Sequence, residues 1–311
     1  MGGTGFDGAY SIKETTDGNY IMAGQSGIAD GDITSNFGMA DCWVVKLDQA
    51  DGNILNQHSF GGSDFEIAMD IECTAEGGYI ILSDEHSNNG IIIGHHGSTS
   101  FTDAWLVKMN AALTIEWNKV YGGSSWEEPY DILITDDGDF VFIADSYSVN
   151  GDITDHHGTV SYPDMWLVQT DSLGNMNWNK SMGGSFHEYG RSVFQLPDGG
   201  YIGYGNTESN DGTVIENTFG NAFWLVKLGG CKIAEITGAD TLQICSGTSA
   251  TLAATEYAGY DYQWLLDDAT IAGADSNEWI ADIAGTYSVI ITNASGCVDT
   301  SSVVILNMTN N

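Results

Sequence analysis

Four copies of one pattern limit what this chain can fold into more than any other feature. Glycine pairs stand at Gly2-Gly3, Gly61-Gly62, Gly122-Gly123 and Gly183-Gly184, at steps of 59, 61 and 61 residues. Tryptophans follow in the same order, Trp43, Trp105, Trp166 and Trp224, each opening a similar run: WVVKL, WLVKM, WLVQT and WLVKL. Between these markers lies a third: DGNY at 17–20, EGGY at 76–79, DGDF at 137–140 and DGGY at 198–201. A sustained period of this length is the signature of stacked supersecondary units.

Within a copy the strand pattern is plain. AYSIKET alternates, DGN turns, and YIMAGQ runs back. Asp-Gly and Gly-Gly pairs flanked by such runs mark hairpins, because the turn needs positive φ at its centre. A loop leads to the tryptophan strand, a turn, and a last strand ending at the next glycine pair. The expectation is a meander of four strands per ~60 residues. One such sheet cannot shield both faces, so neighbours must stack on it. Radial stacking gives a β-propeller; a linear solenoid is the competing arrangement, and its repeats are usually shorter. The 40 glycines, 3 prolines and 11% aromatics agree with many short strands joined by tight turns. The expected organisation is all-β: propeller repeats over 1–230 (2–60, 61–121, 122–182 and 183–230), then a second domain over 231–311.

The third copy, YGGSSWEEPYDILITDDGDFVFIADSYSVNGDITDHHGTVSYPDMWLVQTDSLGNMNWNKSMGG, resembles the GG…DGGY…G-D…W-[LV]-V-K propeller repeats of secreted and surface proteins of Bacteroidota. It is also similar to the wider group of seven-bladed propeller repeats. The similarity runs over roughly residues 2–230. It implies a propeller fold and an extracellular or cell-surface setting, and it implies no reaction.

The loop before each tryptophan carries the polar chemistry. In GDITDHHGTVSYPDMW, residues 151–166, two histidines and three aspartates look like a metal site. Alignment on Gly31, Gly90, Gly151 and Gly212 places His96 and His157 where the other copies have Phe37 and Phe219. A position shared by histidine and phenylalanine uses a flat ring, so packing or local hydrogen bonding is expected there. The aspartates are stronger candidates. Asp30, Asp32, Asp41, Asp152 and Asp164 sit on glycine-bent loops, and calcium takes six to eight oxygens at about 2.3–2.6 Å. Short Asp side chains also cap turns without any metal. No cofactor is required on this reading, and calcium is the one considered. Other repeated residues read as structural. Asp17, Asp137 and Asp198 form turns, and the four tryptophans pack between sheets. Lys46, Lys108 and Lys227 pair with carboxylates, and Cys42 and Cys73 fill buried strand positions.

Fifteen propeller strands can be counted, one short of four complete sheets. Three solutions are open: further repeats upstream, making this chain a fragment; residues 231–238 supplying the missing strand; or a second copy donating one, since an unpaired edge invites pairing. The fragment reading is the expectation.

After Gly230 the period stops. TSATLAAT, DYQWLLDD, NEWIADIAG, TYSVIITNASG and TSSVVILN are short alternating runs, as in a sandwich. Trp264 in YQW and Tyr287 in AGTYSV resemble the core tryptophan and corner tyrosine of Ig-like domains, although Val289 stands where their second cysteine would be. Cys245 and Cys297 resemble the cysteine pair of bacterial Ig-like modules. That resemblance implies a Cys245–Cys297 disulfide and an oxidising compartment.

With 8 basic and 43 acidic residues the formal charge is −35, which excludes nucleic acid and the anionic membrane face as partners. No stretch approaches the ~20 apolar residues of a membrane span. No nucleophile elbow, zinc-protease helix, phosphate loop or dinucleotide fingerprint occurs, so no enzyme activity is expected. The functional expectation is an extracellular module for adhesion or recognition, with a protein or polysaccharide ligand. A structural subunit that self-associates by edge pairing and a carbohydrate-binding accessory region are the alternatives.

Overall fold

The computed structural model describes residues 1–196, 199–215, 217, 218, 220–229, 232, 234–257, 259–293 and 298–309. The protein is all-β, and it divides into two compact units: residues 1–195 with 202–226, and 196–201 with 227–311. Among the described residues no helix is long and apolar enough to cross a membrane.

The first unit repeats one antiparallel meander. Its first sheet is β1 (Asp7–Glu14), β2 (Tyr20–Ser26), β3 (Asp41–Leu47) and β4 (Ile54–Phe60). The second is β5 (Glu66–Cys73), β6 (Tyr79–Glu85), β7 (Asp103–Met109) and β8 (Ile115–Tyr121). The third is β9 (Glu127–Ile134), β10 (Phe140–Ser146), β11 (Asp164–Thr170) and β12 (Met176–Met182). The fourth has three strands, β13 (Glu188–Gln195), β14 (Tyr201–Thr207) and β15 (Ala222–Leu228). The hairpin glycines Gly18, Gly77 and Gly138 have φ of 80°, 83° and 86°, a conformation that a side chain would strain. Asp17 and Asp137 therefore sit in turns as expected, while Asp198 lies outside the described residues.

Trp43, Trp105 and Trp166 occupy matching places. Each faces a small residue on the second strand of its sheet, Gly24, Ser83 and Ala144. Each indole N–H donates to a fourth-strand side chain: Gln57 at 2.9 Å, Asn118 at 3.1 Å and Asn179 at 3.0 Å. The sheets stack face on face. Ile21, Val44 and Phe60 pack with Ile81, Trp105 and Val107; Ile80, Leu82 and Leu106 pack with Phe140, Phe142 and Trp166. Each fully buried side chain of this kind contributes about 1.5–3 kcal/mol. First strands of neighbouring sheets adjoin. Asp70 spans three of them, accepting from Ser11 Oγ at 2.6 Å and from the Ile132 N–H at 3.1 Å.

Two observations bear on closure. The sheets do not form a closed propeller, because the face the fourth sheet turns away from the third carries uncovered side chains. Phe223 and Leu225 on it are 72% and 53% exposed. Among the described residues of 231–238, the strand Ile236–Thr237 (β16) pairs with Ala250–Ala254 (β18) and not with the fourth sheet.

The second unit has two sheets around one core. β16, β18 and β21 (Glu278–Ala281) form the smaller. The larger runs β17 (Thr241–Cys245), β24 (Val304–Thr309), β22 (Gly285–Asn293), β19 (Tyr260–Leu266) and β20 (Ala269–Thr270), with β23 (Val298–Thr300) against β22. Trp264, Tyr287, Leu252 and Ala281 share the core, and the Tyr287 hydroxyl donates to Ile283 O at 2.9 Å. Cys245 ends β17; Cys297, its expected partner, and Cys231 lie outside the described residues.

Candidate functional site at the loop ends of the sheets

The glycine pairs mark junctions between sheets, and each junction holds two buried acids. Asp41, Asp103 and Asp164 open the tryptophan strands, and Glu66, Glu127 and Glu188 open the first strands of the following sheets. All six side chains are fully buried. One glutamate oxygen in each case accepts the N–H of the second glycine, at 2.7 Å from Gly62, 2.8 Å from Gly123 and 2.8 Å from Gly184. A Cβ on Gly122 would lie 2.5 Å from Asp103 Oδ1 and 2.6 Å from Glu127 Oε2. The first glycine of the pair is therefore required because two carboxylates press on its Cα. Each aspartate Oδ2 accepts a loop N–H, from Phe37 at 2.5 Å, His96 at 2.6 Å and His157 at 2.6 Å. Oδ1 of all three has no hydrogen-bond partner. Burial pushes the Asp41, Asp164 and Glu66 carboxyls up, and Glu127 up to about 7.

The aspartates singled out as calcium ligands have other partners. Asp30 accepts from Thr4 N at 2.7 Å and Thr4 Oγ1 at 2.6 Å. Asp32 accepts the Gly2 N–H and Asp152 the Gly122 N–H, both at 3.0 Å. These bonds tie the glycine-bent loops to the glycine pairs. Among the described residues Asp30, Asp32 and Asp41 do not meet as a three-ligand group, and neither do Asp152 and Asp164 with a third. His96 and His157 place Nδ1 2.9 and 3.1 Å from Asp103 and Asp164, the local hydrogen bonding that the alignment with phenylalanine implied; Phe219 lies outside the described residues.

The group that does assemble went unnoticed in the sequence. Glu85 ends β6, Asp103 begins β7, and His95 comes from the loop between them; their ligand atoms lie within 4.8 Å of one another. His95 Nδ1 is 2.8 Å from Glu85 Oε1 and 3.7 Å from Asp103 Oδ2. Burial first, then Asp103 and Glu66, push the Glu85 carboxyl up to about 9. One signal was available. Glu85 aligns with Ser26, Ser146 and Thr207 at the ends of the other second strands, so a lone acid interrupts an otherwise hydroxyl-bearing position.

At the same loop ends lie exposed and half-buried aromatics. Phe65, Trp126 and His187 each precede a buried glutamate, and their carbonyls accept the N–H of His86, Tyr147 and Glu208 at 3.0, 2.9 and 2.9 Å. Trp126 meets Phe101 edge-on at 4.5 Å between centroids and Tyr147 at 5.9 Å. At the next junction Tyr162 meets His187 at 4.7 Å and Phe186 at 5.7 Å. Trp126 and Phe186 are 40% and 48% exposed.

No family model matches the chain, and no curated protein matches it, so the repeat resemblance assigns no family. Several solved structures are similar at low identity. A chimera of apocarotenoid oxygenase and RPE65 aligns at a TM-score of 0.37 and 12% identity, over 98% of this chain and 64% of that one. A fungal alcohol oxidase in complex with copper aligns at 0.27 and 10%, over 98% and 76%. The extracellular domain of a putative one-component system from B. thetaiotaomicron aligns at 0.25 and 8%, over 98% and 57%. The chain thus spans less than two thirds of the chimera's length. The expectation that the chain is not an enzyme is withdrawn, since these similar structures include an oxygenase chimera and an oxidase. The TM-scores are too low to carry any of that chemistry to this chain.

Proposed function

We propose that the chain is an extracellular or cell-surface recognition module whose ligand is a polysaccharide. The observation that supports this reading most directly is the Phe101–Trp126–Tyr147 cluster, in which the exposed Trp126 is held at a loop end by two half-buried rings and by the Tyr147 N–H bond to its carbonyl. Aromatic side chains offer large, rigid apolar faces beside polar edges, which suits the flat faces of sugar rings. On this reading the stacked sheets are part of a β-propeller, and the 227–311 unit is an Ig-like spacer. The Tyr287-to-Ile283 hydrogen bond is similar to the tyrosine corner of such domains, and the buried Trp264 to their core tryptophan. The extracellular setting rests on the repeat resemblance.

Affinity electrophoresis against a panel of neutral and acidic polysaccharides tests the proposal. At least one is expected to retard the protein, and Trp126→Ala is expected to weaken that binding by about tenfold, as loss of an anchoring aromatic does. No retardation by any polysaccharide sinks it.

A second reading has its own observation. Phe194, Phe223 and Leu225 leave an apolar face on the fourth sheet uncovered, which favours a structural subunit whose copies stack. Sedimentation that depends on protein concentration, and that Leu225→Ser abolishes, is the expected outcome; a monomer at all concentrations removes this reading.

A further inference from the structure

We propose that Glu85, His95 and Asp103 form a binding site for one divalent cation of the zinc type, found among the described residues in the second repeat alone. The inference does not rest on polysaccharide recognition. Three kinds of observation carry it: the geometry of the group, its lack of internal compensation, and its absence from the equivalent positions.

The geometry is that of a compact donor set. All three side chains are buried, with exposures of 0%, 1% and 0% for Glu85, His95 and Asp103. Their ligand atoms lie within 4.8 Å of one another, a spread that one ion with bonds of about 2.0–2.2 Å can draw together. Each residue has an atom with no hydrogen-bond partner: Glu85 Oε2, His95 Nε2 and Asp103 Oδ1. Buried polar atoms are rarely left so, and three in one cluster point to a ligand. Asp103 is also braced as a ligand should be, since its Oδ2 receives the His96 N–H at 2.6 Å and lies 2.9 Å from His96 Nδ1. Outer partners of this kind orient metal-binding carboxylates.

Compensation is missing from the protein itself. Among the described residues the ion-pair partners of Glu85 and Asp103 are His95 and His96 alone. Glu127, a third buried acid, stands across Gly122 from Asp103. Buried carboxylates without a counter-charge are costly, and a divalent ion supplies that charge. One imidazole with two carboxylates suits zinc or a similar transition ion, whereas calcium prefers six to eight oxygens. Three protein donors leave a fourth position open to water.

The first and third repeats show the same scaffold with the donor set removed. In the third, His156 and Asp164 remain, 3.7 Å apart, but Ser146 stands for Glu85 and donates to Glu127 at 2.8 Å. In the first, Asn36 stands for His95, and its amide donates to Ser26 O at 3.0 Å. Glu85→Ser and His95→Asn therefore install side chains that this fold already accepts at equivalent places.

The test uses the full chain, stripped with chelator and titrated calorimetrically with zinc, with calcium as a separate arm. One equivalent of zinc is expected to bind at micromolar or lower concentration and to raise the melting midpoint by mass action. Glu85→Ser and His95→Asn are expected to weaken it beyond the roughly 10–100-fold effect of losing an outer partner. Cobalt substituted at the site should give visible absorption of a low-coordinate ion. Ser146→Glu is expected to raise the stoichiometry to two. Absence of zinc binding to the wild type, unchanged affinity in a folded Glu85→Ser variant, or calcium bound in preference to zinc would each overturn the proposal.

Discussion

The strands β7 and β15 carry nearly the same words, WLVKM and WLVKL, and meet opposite surroundings. In β7 Trp105, Leu106 and Val107 are fully buried, because the second sheet is covered by the first on one face and by the third on the other. In β15 the burial pattern alternates, and Leu225, the counterpart of Leu106, is half exposed. Near-identical local sequence thus reports a strand and its alternation, while burial depends on whether another sheet arrives to cover it. The covered sheets also hold acids that the fourth sheet lacks: Asp145 in β10 is fully buried, and its counterpart in β14 is Asn206.

The largest expected difference between the two strands lies in the leucines. Leu106→Ala should destabilise by about 2–5 kcal/mol, the usual cost of a core cavity, whereas Leu225→Ala should stay within about 0.5 kcal/mol. Urea unfolding of both variants measures this. Equal costs would mean that the outer face is covered in solution, and would favour stacking of copies.

A second test asks whether the junction between covered sheets is as tight as it looks. Gly122→Ala drives a Cβ against Asp103 and Glu127, and should cost about 1–3 kcal/mol, as overpacking does. Gly220→Ala, where the added Cβ meets nothing but positive φ of 75°, should cost only about 1 kcal/mol. If the two variants unfold alike, the carboxylates give way and the junction is looser than described.

The smallest effect is the pH dependence of the covered region. Burial pushes Asp145 up to about 7, although Arg191 opposes the shift. Asp131 is pushed up to about 6 for the same reason. The native state then holds protons that the unfolded chain releases at lower pH, so stability falls as pH rises from the ordinary carboxylate range toward about 7. The melting midpoint should be higher near about pH 5 than near about pH 8, by on the order of 1 kcal/mol in stability. Asp145→Asn, which imitates the fourth sheet, should flatten part of that slope. A midpoint that instead rises with pH would contradict the burial described for these acids.

Much of the architecture was legible residue by residue. The DGNY, EGGY and DGDF turns, the alternating strands and the matched tryptophans lie where the period placed them, because hairpin φ angles and side-chain alternation are decided within a few residues. The alignment of His96 and His157 with phenylalanine also foretold local partners. The site was much less legible. In HHG the second histidine stands where another repeat has Phe37 and the first where it has Asn36, and Glu85 lies 10 residues before His95 and 18 before Asp103, with no spacing rule to join them. The glycine pairs read as markers of a period, yet their cause is two carboxylates 24 or 25 residues apart that meet only when successive sheets stack.

The sequence by itself determined the repeat, the meander within each sheet and the chemistry of its turns, since these follow from backbone geometry and alternation over short stretches. Only the tertiary structure decided which faces are covered, which acids lose water, and that Glu85, His95 and Asp103 share one pocket of space. Burial and electrostatic pairing belong to whatever the stacked sheets bring near, and residues distant along the chain supply it.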